Sequence, residues 1–173
     1  MRIESDAWIS DEIINVSQRV LQMQFPDLAG LRSSLNFCIV SGSVQKTHAS
    51  LDRLRDETLV SSESFQQHLA RAQYRQVQIL FVNGNHWITV SNIHNGPPNE
   101  IHVYDSKPPN YDQYFVHQVA AVFRQDAPEI SLVWPPVCLQ PNDNDCGCYA
   151  VAAAVALAHG ERPDTQNFNN GVI

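Results

Sequence analysis

The sequence predicts an α+β domain. Three observations carry that reading. Near the N-terminus, Ile13, Val16 and Val20, together with Ile14 and Leu21, recur at helical spacing. In the middle, residues 77 to 105 are rich in β-branched and aromatic side chains broken by turn signals. Toward the end, a polar run stops at a cysteine, and an almost wholly apolar, Ala-rich run follows from Cys148 to Ala158. Strands in the middle with helices on both sides form the α+β pattern.

A chain of 173 residues is long enough for a normal core and predicts one domain over 1–173. Hydrophobic content of 43% and charged content of 17% are ordinary for a soluble protein. The net charge of -7 argues against a nucleic-acid binder, which shows a basic surplus or patch. The four cysteines, Cys38, Cys138, Cys146 and Cys148, do not read as a disulfide framework in a chain this long. Met1 is followed by charged and polar residues rather than an apolar leader. The run from 148 to 158 is too short to span a bilayer. The expectation is a soluble monomer of a reduced compartment, cytoplasmic or nuclear or delivered into a host cytosol, with no membrane association.

The elements follow in order. Residues 11 to 24 read as a helix, with Asp11 and Glu12 in the first turn, where carboxylates suit the dipole, and Phe25-Pro26 at its end. Leu35 to Val40 reads as a short strand, and 50 to 60 carries no clear period. Ser61 or Ser62 caps a helix to about Gln73, with Phe65, Leu69 and Ala72 on one face. Val77 to Val82 and His86 to Asn92 are strands joined at Asn83-Gly84, a strong turn signal. Ile101 to Asp105 is the next strand, after a loop holding Asn95-Gly96-Pro97-Pro98. Residues 111 to 124 form a helix whose Tyr111, Phe115, Val119 and Val122 are read as core. Ile130 to Val133 is a short strand, and Pro135-Pro136 marks an edge position or a break.

The chemistry gathers at Gln140 to Tyr149. A cysteine in the first turn of a helix sits where the partial positive charge favours the thiolate, which is the nucleophilic form. A lone cysteine is more often a small buried hydrophobe. A His and an Asp tip the balance. An antiparallel hairpin around the 93 to 99 loop puts His86 opposite Asp105 or Ser106, within side-chain hydrogen-bonding reach. An Asp beside a His fixes the imidazole tautomer and stabilises its cation. Cys146, His86 and Asp105 then supply nucleophile, base and orienting carboxylate. Gln140 adds an amide donor that, with the Cys146 backbone N–H, can hold an oxyanion. Gly147 puts no side chain beside the nucleophile. Asn142, Asp143, Asn144 and Asp145 are good turn and capping residues.

These residues resemble a known family. His86-Trp87, an Asp after a hairpin, and Gln-x-Asn-x-x-Asp-Cys-Gly at Gln140, Asn142, Asp145, Cys146 and Gly147 look like the SUMO/ubiquitin-like-specific cysteine proteases, relatives of the adenovirus-type proteases. Trp8-Ile9-Ser10-Asp11-Glu12 looks like that family's opening helix, so the similarity runs from about residue 6 to 160. The resemblance implies a papain-like cysteine protease fold: a central mixed sheet flanked by helices, with the nucleophile at the N-terminus of a buried helix. It implies a thiol peptidase or isopeptidase that cleaves after the C-terminal Gly-Gly of ubiquitin or a ubiquitin-like modifier. His86, Asp105, Gln140 and Cys146 are the catalytic set. Trp8, Asp11, Trp87 and Asp145 are substrate contacts, the two tryptophans covering a tunnel for the Gly-Gly tail. No cofactor or metal is expected, and the partners are the modifier and its conjugates. Cys148 departs from the pattern, since the family has an apolar residue there, and reads as a small buried hydrophobe. The chain also ends soon after the Ala-rich helix, where relatives continue.

Other readings stand beside this one. A tryptophan is most often core, although Trp8 and Trp87 flank the site. His48, His68, His94, His102, His117 and His159 read as surface or satisfied side chains. Cys138, Cys146 and Cys148 lack the spacing and second ligand pair of a zinc site. An acyltransferase of the bacterial-effector type would use a similar fold and a Cys–His pair, usually with Glu as the third member. A silent modifier-binding module would not need the intact set. The sequence names neither the modifier nor whether processing or deconjugation dominates.

Overall fold

The computed structural model describes residues 8–33, 75–93, 97, 100–107, 111, 115–123 and 131–168. The predicted strand at 35–40, the stretch 50–60 and the predicted helix 61–73 lie outside the described residues.

Helix α1 spans Asp11–Gln24, with Asp11 and Glu12 in its first turn, and the Phe25 N–H closes it on the Leu21 carbonyl. Its inward face keeps only part of the predicted stripe. Ile14, Gln18 and Leu21 are buried, whereas Ile13, Val16 and Val20 are exposed. The helix carries two apolar stripes about a third of a turn apart, and the core took the one containing Gln18. That amide bonds through both its nitrogen and its oxygen. Its Nε2 donates to the Arg32 carbonyl at 2.8 Å, and its Oε1 accepts from Gln78 Nε2 at 2.9 Å and from the Ile79 N–H at 3.3 Å. A buried amide with its bonds made costs little, and one left unmade is expensive.

The five-stranded sheet runs β1 (Ala29–Gly30), β2 (Gln76–Val82), β3 (His86–Ser91), β4 (Glu100–Tyr104) and β5 (Ser131–Val133), in that spatial order. The β1/β2 and β4/β5 pairs are parallel, and β2/β3 and β3/β4 are antiparallel. At Gly30, φ is +88° and a Cβ would stand 1.9 Å from the Val77 carbonyl oxygen, so only glycine lets β1 join β2. The predicted turn is present, with Asn83 and Gly84 at φ 54° and 73°. β5 takes the predicted edge position, and the chain leaves it through Pro135-Pro136.

Alternation along the central strands sends side chains to two cores. Leu80, Val82, Ile88, Val90, Ile101 and Val103 face α2 (Phe115–Phe123), meeting Phe115, Val119 and Val122. Val77, Ile79, Trp87 and Tyr104 face α3 (Cys146–Ala158) and α1, meeting Ala150, Ala153, Ala154, Leu157, Ile14 and Leu21. Small alanines let α3 lie close on β2 and β3, and Thr89 Oγ1 donates to the Ala150 carbonyl at 2.6 Å. Each large apolar side chain buried here contributes about 1.5–3 kcal/mol. No described helix is long and apolar enough to cross a membrane.

The predicted hairpin register needs correction. Thr89 pairs with Tyr104, Val90 with Val103 and Ser91 with His102. His86 therefore does not stand opposite Asp105 or Ser106. β4 ends at Tyr104, and Asp105 is the first residue past it. His86 and Asp105 are diagonal neighbours, offset by two residues. An even offset keeps both on the same face of the sheet.

Candidate active site

Helix α3 begins one residue after Asp145, and Cys146 is its first residue, two positions earlier than the apolar run alone indicated. The loop before it is built by Asn142. The Asn142 Oδ1 accepts from the backbone N–H groups of Asn144 (2.8 Å) and Asp145 (3.0 Å), and its Nδ2 donates to Asp145 Oδ2 at 2.7 Å. This fixes the angle at which the chain enters α3. Asp145 makes no side-chain cap bond to the helix, so its carboxylate serves the loop.

The other half of the site comes from the end of the sheet. His86 Nε2 lies 2.6 Å from Asp105 Oδ1, and both side chains are buried. The same Oδ1 accepts the Lys107 backbone N–H at 2.8 Å, and Oδ2 accepts the Tyr111 hydroxyl at 2.6 Å. The other ring nitrogen of His86, Nδ1, is buried and has no partner at hydrogen-bond distance. Cys146 is nevertheless near enough to shift the ring's titration, so the thiol is a close neighbour rather than a formed bond.

The two halves are stitched together. Ser106 Oγ donates to Gln140 Oε1 at 2.6 Å, and the Gln140 N–H donates to the Ser106 carbonyl at 2.9 Å. Lys107 Nζ reaches Asp143 at 2.9 Å. That last pair is exposed and adds little stability, but it spans the same gap. Gln140 Nε2 donates to the Asn142 carbonyl.

The electrostatics follow from these contacts. Burial would lower the His86 pKa, but the Asp105 hydrogen bond and the Cys146 neighbour overcome it and raise the value to about 9. Burial would raise the Cys146 pKa. The His86 contact, the backbone amides of Trp87 and Gly147 and the imidazolium charge outweigh that and hold the thiol below its usual range. The arrangement favours a thiolate–imidazolium pair.

Of the predicted substrate residues, Trp87 follows His86 and Asp145 precedes Cys146. Trp87 is buried and packs on Phe81 with ring centroids 4.7 Å apart. Trp8 is 44% exposed, and Asp11 is exposed at the start of α1. Gly147 is pinched between Ile9, which follows Trp8, and Trp87: a Cβ there would stand 2.9 Å from Ile9 Cβ and 3.5 Å from Trp87 Cδ1. Cys148 is exposed rather than buried. Two residues along a helix is about 200° of rotation, which turns it away from the core that receives Cys146. Partial desolvation of its sulfur, then the charges of Asp145 and Cys146, push the Cys148 thiol up. Among the described residues, no cluster of three or more His, Cys, Asp or Glu side chains is placed to hold a metal ion.

Tyr111 packs on the core through its ring, as predicted, and in addition puts its hydroxyl on Asp105. A tyrosine ahead of a helix stripe has the same pattern as a packing residue, so spacing alone could not reveal it. Ser106, Lys107 and Ile9 were also missed as site residues. Their roles depend on long-range contacts with 140–143 and 147, which leave no local signal.

No protein-family model matches the sequence, and no curated protein does. Solved structures match the fold. The C-terminal Ulp1 protease domain, in complex with Smt3, the yeast ortholog of SUMO, superposes with a TM-score of 0.64 at 14% identity, over 91% of this chain and 68% of that one. The Xanthomonas campestris effector protein XopD, bound to ubiquitin, gives 0.54 at 16% identity, over 96% and 88%. The Ulp1-like SUMO protease catalytic domain of Chaetomium thermophilum gives 0.59 at 16% identity, over 94% and 66%. The chain thus has an α+β fold with a mixed five-stranded sheet, the fold of the Ulp1-like proteases.

Proposed function

We propose that the protein is a cysteine peptidase acting on the C-terminal Gly-Gly of ubiquitin or a ubiquitin-like modifier. The observation that carries this reading is the 2.6 Å His86–Asp105 bond beside a thiol that begins a helix and is held below its usual pKa. The Cys146 thiolate attacks the carbonyl of the scissile amide or isopeptide bond. Its sulfur–carbon bond forms as the carbonyl electron pair moves to oxygen. The oxyanion is held by the Cys146 backbone N–H and by Gln140, whose amide carries two hydrogens and uses one on Asn142. As the tetrahedral intermediate collapses, the His86 imidazolium gives its proton to the departing amine. Neutral His86 then takes a proton from water, which hydrolyses the thioester, and the cation it becomes reprotonates or pairs with the released sulfur. Asp105 keeps the ring oriented throughout.

On this reading Trp8 and Trp87 cover the approach to Cys146; Ile9, next to Trp8, and Trp87 both close on Gly147. A flat aromatic pair there suits a side-chain-free Gly-Gly tail. Asp11 and Asp145 contact the body of the modifier. Three of the matched folds are of proteins described as SUMO proteases or as bound to Smt3 or ubiquitin, which supports this class of partner.

Ubiquitin and SUMO carrying C-terminal electrophiles test the reading. A covalent adduct at Cys146 is expected, absent in Cys146→Ala. An intact thiol that ignores every modifier probe overturns it, and acetyl-CoA-dependent modification of a protein substrate would assign acyl transfer instead.

A further inference from the structure

We infer that Tyr111 is a positioning residue for the Asp105 carboxylate, carrying support from helix α2 and Trp134 into the Cys146–His86 pair. The inference rests on the reading of Cys146, His86 and Asp105 as a catalytic set.

Asp105 Oδ1 already accepts two bonds, from His86 Nε2 at 2.6 Å and the Lys107 N–H at 2.8 Å. A carboxylate held through one oxygen is still free to swing, because its terminal torsion is broad and two-fold. The Tyr111 hydroxyl takes the second oxygen at 2.6 Å and removes that freedom. The phenol is itself well held. Its ring stacks on Phe115, centroids 3.9 Å apart and planes 12° apart, and Phe115 is buried in the core under α2. Trp134, just past β5, packs beside it, with ring centroids 6.2 Å apart. An ionised carboxylate only accepts, so the phenol proton points at Asp105. Burial, then the Asp105 bond and charge, push Tyr111 ionisation far above the usual range, so it remains a donor at any working pH.

The titratable side chains facing the carboxylate are His86 from β3 and Tyr111 ahead of α2. Lys107 turns its ammonium to Asp143, and Cys146 follows beyond the imidazole. Loosening Asp105 therefore acts first on His86 and through it on the thiol. A residue that only packed would not move that titration.

The test is Tyr111→Phe, which keeps the ring on Phe115 and deletes only the hydroxyl. The pH dependence of Cys146 alkylation by iodoacetamide is followed by peptide mass spectrometry. A Cys148→Ser background is used because Cys148 shares the peptide. The expected result is a rise of about one unit in the alkylation midpoint, or about a tenfold loss of thiolate below it. The thermal melt should remain cooperative, and Trp134→Ala, which removes the ring beside Tyr111, should shift the midpoint in the same direction by less. A Tyr111→Phe profile that superposes on the parent overturns the inference. Because alkylation needs no modifier, a shifted profile with no reaction toward modifier probes would sink the peptidase reading and leave the positioning role standing. Probe labelling with an unshifted profile would do the reverse.

Discussion

His86 Nε2 and Asp105 Oδ1 are 2.6 Å apart although the two residues are not cross-strand partners. The β3/β4 register places them diagonally, and Asp105 reaches back only because β4 has ended and the chain is already turning. The bond therefore depends on how the 105–107 turn is held. Asp105→Asn leaves a side chain of the same shape but lets the ring adopt the wrong tautomer. The proposed peptidase activity is expected to fall by about a thousandfold or more, with the melting temperature close to the parent's. Retention of full activity in steady-state assays would remove Asp105 from the catalytic set.

The pH dependence follows from the two opposed shifts. His86 is raised from 6.5 to about 9, burial being overcome by Asp105 and Cys146. The stability it contributes is complete below pH 6.5 and is lost as pH rises through about 9. Cys146 is depressed, burial being overcome by His86 and the Trp87 and Gly147 amides. Its contribution is present at alkaline pH and is lost as pH falls through the folded value. The reactive pair exists between the two. The kcat/KM profile should rise with thiolate formation, level off, and decline near pH 9. A profile that continues to climb past that point contradicts the pairing.

Gly147→Ala should separate packing from chemistry. A Cβ would lie 2.9 Å from Ile9 Cβ, so the 8–10 segment must shift. Overpacking of this kind costs about 1–3 kcal/mol, read by chemical denaturation. Modifier-probe labelling is expected to fall further than iodoacetamide labelling, since the small reagent does not need the covered approach. Equal losses in both would show that the thiol itself was disturbed.

Gln18→Leu tests the buried amide knot. It strands the Ile79 N–H, which is bonded to Gln18 Oε1, while Gln78 Nε2 keeps the Arg32 and Ile79 carbonyls. Burying an unsatisfied donor costs about 1–3 kcal/mol, measured as a lower denaturation midpoint. A midpoint at or above the parent's would show that an apolar α1 face serves equally well.

Cys148→Ala is expected to be silent. The side chain is exposed and its thiol is pushed up, so modifier-probe reaction should be unchanged within about twofold. A large loss would mean that Cys148 shares the chemistry.

Much of the site was legible because its signals are local. Asn83-Gly84 marks a turn, Pro26 a helix end, and the polar-to-apolar change near Cys146 a loop entering a buried helix. What the sequence did not show was decided across distance. On α1 the pattern offered two apolar stripes, and the choice fell to Gln18, whose partners Arg32 and Gln78 come from elsewhere in the chain. The β3/β4 register differs from the predicted one by one or two positions, because packing on both faces of the sheet, not loop length, fixes the pairing. Tyr111 looked like its neighbours Phe115 and Val119, and only its hydroxyl, invisible to periodicity, gave it another role. Cys148 was misjudged because α3 is apolar nearly all round and yet leaves one side open to solvent.

The stitching of 105–107 to 140–143 gives the thiol a history. On an unfolded or half-made chain, Cys146 has neither imidazole nor oriented amides beside it and behaves as an ordinary, mostly protonated cysteine. It becomes nucleophilic only when Ser106 meets Gln140 and α3 settles on β3. Reactivity at neutral pH is thus a property of the finished fold, and the rate of Cys146 alkylation is a clock for its completion.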